Sequence, residues 1–435
     1  MQAILAAGQR IDIGDGGPPY VVDGLLGRGG QGEVYTVRRG PEAAPLALKW
    51  YFDHVAIPEQ RESLFELIDV GSPSPRFLWP LAVATAEGVP GFGYLMHLRD
   101  AGFVGIVELV NGRATGITFR HLATIAFELA ETFLQLHVIG HCYRDINFGN
   151  VFFNPTTGAV LICDVDNVGV NETRRFGAIG TPRFMAPEIL TGAARPSTDT
   201  DRHSLAVLLF YVLMVSHPLE GKAALKYDHL DPSEALLELT GRHPVFIFDP
   251  DDPSNPPADD SAALIYWPLY PAFVRALFTR AFTTGLTAPS QRVTVTEWRA
   301  AACRLRDLII HCQSCGRQSF LDPDRAAPPA CWSCSTAIVA PPLIEIDHDP
   351  IALNADTKLY AHHILGRNYD FAAPLAEVAV DPADPQRWGL RNLSDQPWTA
   401  TLPDGSSRAV GPGRAVPLLA EVAIDFGART GTIRA

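Results

Sequence analysis

LLGRGGQGEVY, residues 25–35, sets Gly27, Gly29 and Gly32 in a G-x-G-x-x-G pattern with Val34 two residues beyond. Glycines there let backbone N–H groups close over phosphates, and the valine can cover an adenine ring. LALK follows and places Lys49 on an apolar strand. A cation in that setting needs a partner, here phosphate and a helix carboxylate. Glu62 is the first choice for that carboxylate and Glu66, one turn on, its rival. Near the other end, CQSC and CWSC pair Cys312 with Cys315 and Cys331 with Cys334, fifteen residues apart. Two thiolates from each tight turn can meet one tetrahedral Zn2+. The alternative, two redox-active pairs, lacks the helix start within a thioredoxin-like pattern that such pairs use. YRDINFGN, residues 143–150, lies between a helix-like and a strand-like run, yet carries Arg144, Asp145, Asn147 and Asn150.

That bend is explained by its neighbours. Arg144-Asp145, Asn150 five residues after the aspartate, Asp164 in CDVD and Ala186-Pro187-Glu188 follow in the order and spacing of a eukaryotic-like (Hanks-type) protein kinase. The chain resembles that family over roughly residues 20–305. The resemblance implies a bilobal fold with ATP in its cleft. Asp145 would accept the proton of a substrate hydroxyl, and Asn150 and Asp164 would hold Mg2+. It further implies Met96 at the back of the adenine pocket, with His97, Leu98 and Arg99 as hinge. Thr181 in GTPRFMAPE would contact Asp145, which points to serine and threonine acceptors. Glu188 would pair with Arg292, and Asp201 would anchor the catalytic loop. Arg144 implies an ordering phosphate on the segment Asp164–Glu188, where Thr173 is the phosphosite expected once Thr181 is engaged.

Three positions depart from the family pattern. Tyr143 stands for the usual histidine, Asn147 for a lysine that would meet the γ-phosphate, and Asp166 for the glycine of D-F-G. Loss of the lysine charge motivates a second reading, a nucleotide-binding pseudokinase scaffold. Asp166 should resist the backbone flip that glycine permits.

These residues need a scaffold, and 435 residues exceed one hydrophobic core. The expected class is α+β: a bilobal kinase fold, then a small zinc ribbon and a C-terminal β-sandwich. Residues 1–98 form the strand-rich N-lobe with one short helix around PEQRESLFELI, and 99–305 the helical C-lobe. Residues 306–340 form the ribbon, whose core requires the metal. Residues 355–435 read as short strands between turns. Their rhythm resembles a forkhead-associated domain, and Arg367 matches that family's phosphate-reading arginine, but no Ser-x-x-His follows. A docking module is the safer expectation. The domain order resembles bacterial kinases found beside a von Willebrand A protein and a metal-dependent phosphatase in tellurite-resistance-like triads.

A formal net charge of −13 argues against nucleic-acid or anionic-membrane partners. The longest apolar run, Leu205–Val215, is too short for a bilayer and reads as a buried helix. The start MQAILAAGQR lacks a signal-peptide pattern, so the expected compartment is the cytoplasm, with reduced thiols. Cys142, Cys163 and Cys303 have no partner spacing and are expected as buried apolar residues.

Overall fold

The computed structural model describes residues 3–171, 180–325, 329–367, 369–381 and 384–434. It divides into two compact units, one of residues 1–117, 124–266 and 276–299, the other of 118–123, 267–275 and 300–435.

The first unit opens with β1 (Arg10–Asp12), β2 (Tyr20–Arg28), β3 (Gly32–Arg38), β4 (Leu46–Tyr51), β5 (Ala82–Ala86) and β6 (Val89–His97), closed into a barrel in the order β1-β2-β3-β4-β6-β5. β4 is buried from Ala47 onward, since it runs between β3 and β6. That is why LALKWY reads as an unbroken apolar strand around one lysine. β1 closes the barrel by pairing with β2 and β5. Ile11, Val22, Val37, Leu48, Trp50 and Leu95 fill the interior.

Between β4 and β5 runs α1 (Pro58–Val70), started by a proline whose missing N–H costs nothing there and ended at Gly71, φ 73°. Its buried residues are Ser63, Leu64 and Leu67, a stripe at helical spacing, of which Leu64 packs with Ala47, Tyr51, Tyr94 and Met96.

Helices dominate the rest of this unit. A hairpin of Val151–Phe153 and Val160–Ile162 is hydrogen-bonded in register. The helix Thr198–Met214 is capped reciprocally by Ser197 and Thr200, and every residue from His203 to Met214 is buried. This is the long apolar run of the sequence. Among the described residues no helix is long and apolar enough to cross a membrane.

The second unit holds the antiparallel pair Ile309–His311 and Gln318–Phe320, then two sheets of six and four strands. Residues of both sheets, among them Ile344, Trp398 and Ile433 of one and Leu359, Val378 and Leu390 of the other, share one core. The six-stranded sheet begins at Leu343, ahead of the expected start at 355, because Leu343–Ile346 pairs with the far-downstream strand Thr430–Arg434.

Candidate active site

The glycines of the β2–β3 turn serve two purposes. A Cβ on Gly27 or Gly30 would meet nothing within 4 Å, so that face is open to a ligand. At Gly32 a Cβ would fall inside 3.0 Å of the Trp50 carbonyl oxygen, and Gly93 of β6 meets the Lys49 carbonyl in the same way. Those two glycines let β3 and β6 close on β4 from either side. Gly29 donates its N–H to Gly32 O at 2.9 Å, which shapes the turn. Strand register sets Val34 opposite Lys49, and Lys49 opposite Tyr94. Met96 is buried beside Ala47, His97 is exposed, and Leu98 packs partly against the same cluster.

Lys49 is 5% exposed. Its ammonium donates to Gln31 Oε1 at 2.9 Å, Asp164 Oδ1 at 2.5 Å, and Asp166 Oδ2 and Oδ1 at 2.9 and 3.0 Å. Burial alone would depress the lysine; the charges of Asp166 and then Asp164 outweigh it and hold its pKa above the ordinary value. Burial first, then the neighbouring Asp166, push Asp164 up. A bound divalent cation would draw such a carboxylate back to its charged form.

The expected pair of Lys49 with Glu62 is not formed, and Glu66 does not take its place. Both glutamates are exposed on α1, off the stripe of Ser63, Leu64 and Leu67. The helix residue that reaches the site is Gln60, whose Nε2 donates to Tyr51 Oη at 3.1 Å and to the Asp166 carbonyl at 3.3 Å. Tyr51 was a missed residue with a readable signal. It lies two positions after Lys49 on one strand, so the two share a face.

The loop Tyr143–Asn150 hangs from the helix Thr198–Met214. Asp201 accepts the N–H groups of Tyr143 (2.6 Å) and Arg144 (2.9 Å) and meets His137 Nε2 at 3.0 Å. Arg144 takes a left-handed conformation, φ 75°. Tyr143 is fully buried, and its hydroxyl donates to the Cys163 carbonyl, the residue before Asp164. The phenol thus ties this loop to the neighbouring segment. Asp145 is half-buried; Thr181 Oγ1 donates to its Oδ1 at 2.8 Å. Asn150 Nδ2 donates to the Asp145 carbonyl at 2.8 Å, which leaves the amide oxygen as the atom able to ligate a cation. Asn150 and Asp164 flank the Val151–Phe153/Val160–Ile162 hairpin, and Cys163 N–H donates to Asn150 O at 2.9 Å. The hairpin delivers both to one end. Their carboxylate and amide oxygens fit a hard cation such as Mg2+. Asn147 turns inward instead, donating to Asp145 O at 3.1 Å and accepting from Gly149 N–H at 2.7 Å.

Arg292, 3% exposed, holds Glu188 with two parallel bonds of 2.7 and 2.8 Å and donates to Asp199 O at 2.9 Å. Glu188→Gln strands a buried guanidinium. We expect it to cost about 3–5 kcal/mol and roughly 10 °C of melting temperature, read by calorimetry. Thr173 lies outside the described residues.

In the second unit the four cysteines come together across the two turns. Cys312 Sγ lies 3.6 Å from Cys334 Sγ, and Cys315 Sγ 3.6 Å from Cys331 Sγ. Zinc–sulfur bonds of about 2.3 Å in a tetrahedron require edges of roughly 3.8 Å, so the donor set and spacing fit Zn2+. The turns are alike: Cys312 N–H bonds Arg317 O and Gly316 N–H bonds Cys312 O, while Cys331 N–H bonds Thr336 O and Ser335 N–H bonds Cys331 O. Gly316 and Ser335 both adopt positive φ, 71° and 59°. Sequence reading did not foresee a second group, Cys303 with His362 and His363. The backbone N–H of Tyr360 donates to His363 Nδ1, so Nε2 carries the proton toward Asp307 at 3.2 Å. That pairing marks an internal polar cluster. Cys142 is buried as expected, while Cys163 is only partly so, its thiol pushed up to about 12 mainly by burial.

Residues 96–262 match the protein kinase domain family. The serine/threonine-protein kinase PkaA of Streptomyces coelicolor is 27% identical over 260 residues, 54% of this chain and 45% of the relative. The DNA damage-responsive serine/threonine-protein kinase RqkA of Deinococcus radiodurans is 29% identical over 229 residues, 48% of this chain and 32% of the relative. Protein kinase YegI of Escherichia coli is 26% identical over 305 residues, 66% of this chain and 45% of the relative. The chain spans less than half the length of each of these three relatives.

Proposed function

We propose that this chain, which carries a protein kinase domain related to those of bacterial serine/threonine kinases, is an ATP- and Mg2+-dependent kinase that phosphorylates serine and threonine hydroxyls of a protein substrate. The observation that carries the reading is the contact of Thr181 with Asp145 in a loop held by Asp201. Thr181 engages Oδ1 and so aligns the carboxylate. The other oxygen, which accepts only a long 3.4 Å bond from Asn150 Nδ2, is then oriented to take the proton of an attacking hydroxyl. Lys49 would meet the nucleotide phosphates, with the turn of Gly27, Gly29 and Gly32 closing over them and Val34 and Met96 against the adenine. Mg2+, when bound, neutralises charge developing on the phosphates, and Asn150 and Asp164 would hold it. Asn147 spends its amide within the loop, and a missing charge of that kind costs about 10²–10³ in rate. A slow kinase is the expectation.

Autophosphorylation at Thr173 belongs to the same reading. So does a structural Zn2+ on Cys312, Cys315, Cys331 and Cys334, with the β-rich C-terminal module as a docking surface. A von Willebrand A protein and a metal-dependent phosphatase are the candidate partners on domain order alone. The test is incubation of the full chain with labelled Mg-ATP and a generic peptide, followed by phosphoamino-acid analysis. Phosphoserine or phosphothreonine is expected; absence of label from both peptide and chain would overturn the proposal.

All three ammonium hydrogens of Lys49 have acceptors, and the amide of Gln31 is the only neutral one. An arriving phosphate should displace Gln31. Gln31→Ala is therefore expected to lower the ATP KM by roughly fivefold, about one hydrogen bond's net worth, in steady-state kinetics.

A further inference from the structure

We propose that Asp166 is the positioning residue of Lys49, doing from the Asp164-Val165-Asp166 segment what a carboxylate on α1 was expected to do. The inference rests on the kinase reading for its consequence and on geometry for its content. The Asp166 side chain is 1% exposed. Both its oxygens face Lys49, Oδ2 accepts from Tyr51 Oη at 2.6 Å, and Tyr94 Oη lies 3.5 Å from Oδ1. Burial, then the Asp166 charge, hold both phenols well above their ordinary values, so each hydroxyl is a donor. Gln60 fixes the backbone of the same residue. With its oxygens so engaged and out of solvent, Asp166 is placed as an anchor rather than a metal ligand. A glycine here would leave a buried ammonium short of a counter-charge and two buried phenols without an acceptor.

The consequence is a different coupling. Asp164 immediately precedes, and the anchor of Lys49 lies within, one 3₁₀ turn, Val165–Asn167, closed by Val168 N–H to Val165 O. The lysine is therefore positioned together with the metal-side aspartate. Exposed carboxylates of α1 take no part.

The test uses the full chain and two readouts, binding of a fluorescent Mg-ATP analogue and phosphate transfer to a generic peptide. Asp166→Asn keeps an acceptor for Tyr51 but removes the charge. It should weaken nucleotide binding or lower kcat at least tenfold, while Glu62→Gln and Glu66→Gln stay within twofold. Lys49→Met should lose as much, and adding Asp166→Asn to it should cost no more than about twofold further, since a pair acting as a unit is lost once. Additive losses, or a larger loss at Glu62 or Glu66, would overturn the anchor. Tyr51→Phe, which keeps the ring, should reproduce a smaller loss and guards against misfolding of the Asp166 variant. If the wild type binds nucleotide without transferring phosphate, the kinase reading fails, and the order of the binding losses still decides the anchor.

Discussion

Asp145→Asn should bind Mg-ATP about as the wild type does and transfer phosphate about 10²–10⁴ more slowly, since the amide accepts the Thr181 hydrogen bond but not a proton. The shape of the loop should survive, because Asp201 holds it through the Tyr143 and Arg144 N–H groups, and the Asp145 side chain takes no part in that. Asp164→Asn fails for another reason. It removes the negative charge of the pair that would hold Mg2+ and one of the two counter-charges of Lys49, so both nucleotide affinity and transfer should fall. Mass spectrometry of the three proteins after incubation with Mg-ATP reads the outcome. Phosphate on Thr173 is expected in the wild type and in neither variant. Phosphate on Thr181 alone would contradict the site, because that hydroxyl is already committed to Asp145.

The largest effect on stability should come from removing the Zn2+ that the four cysteines would hold. Cys312 and Cys331 belong to a small core with Leu308, Ile310, Leu321 and Ile338, so these two side chains are part of the core's own walls. Structural Zn2+ of this kind carries an apparent binding free energy of about 10–16 kcal/mol. Purified protein should contain about one equivalent of zinc by elemental analysis, as one four-cysteine site binds one ion. Chelation or Cys331→Ser should open residues 312–339 to protease before other segments, mapped by mass spectrometry. A metal-free protein resistant there would remove the ribbon.

The residues of the candidate site could be proposed from the sequence because its motifs are local spacings. Gly27 to Val34, Lys49, Asp145 to Asn150 and Asp164 could be placed by counting, and Thr181, Asp201 and the Glu188–Arg292 pair followed from the resemblance. What counting could not show was direction. Glu62 and Gln60 are two residues apart on α1, and only the buried stripe decides which reaches the site. Asp166 was visible as a departure, but its role depends on Tyr51 and Tyr94, on two different strands. The four cysteines were legible because both ligand pairs lie in tight turns. β1 and the pairing of Leu343–Ile346 with Thr430–Arg434 were not, since short strands with distant partners carry no periodic signal of their own.

Gly27 and Gly32 look alike in the sequence, yet they answer to different selections. A library that replaces each with alanine, sorted once for soluble expression and again for nucleotide capture, should separate them. Position 27 has room for a methyl group and would survive the first sort; positions 32 and 93 press on the carbonyls of Trp50 and Lys49 and would fail it. Substitution at the open part of the turn therefore leaves the barrel intact, so nucleotide capture and folding are separable at neighbouring glycines.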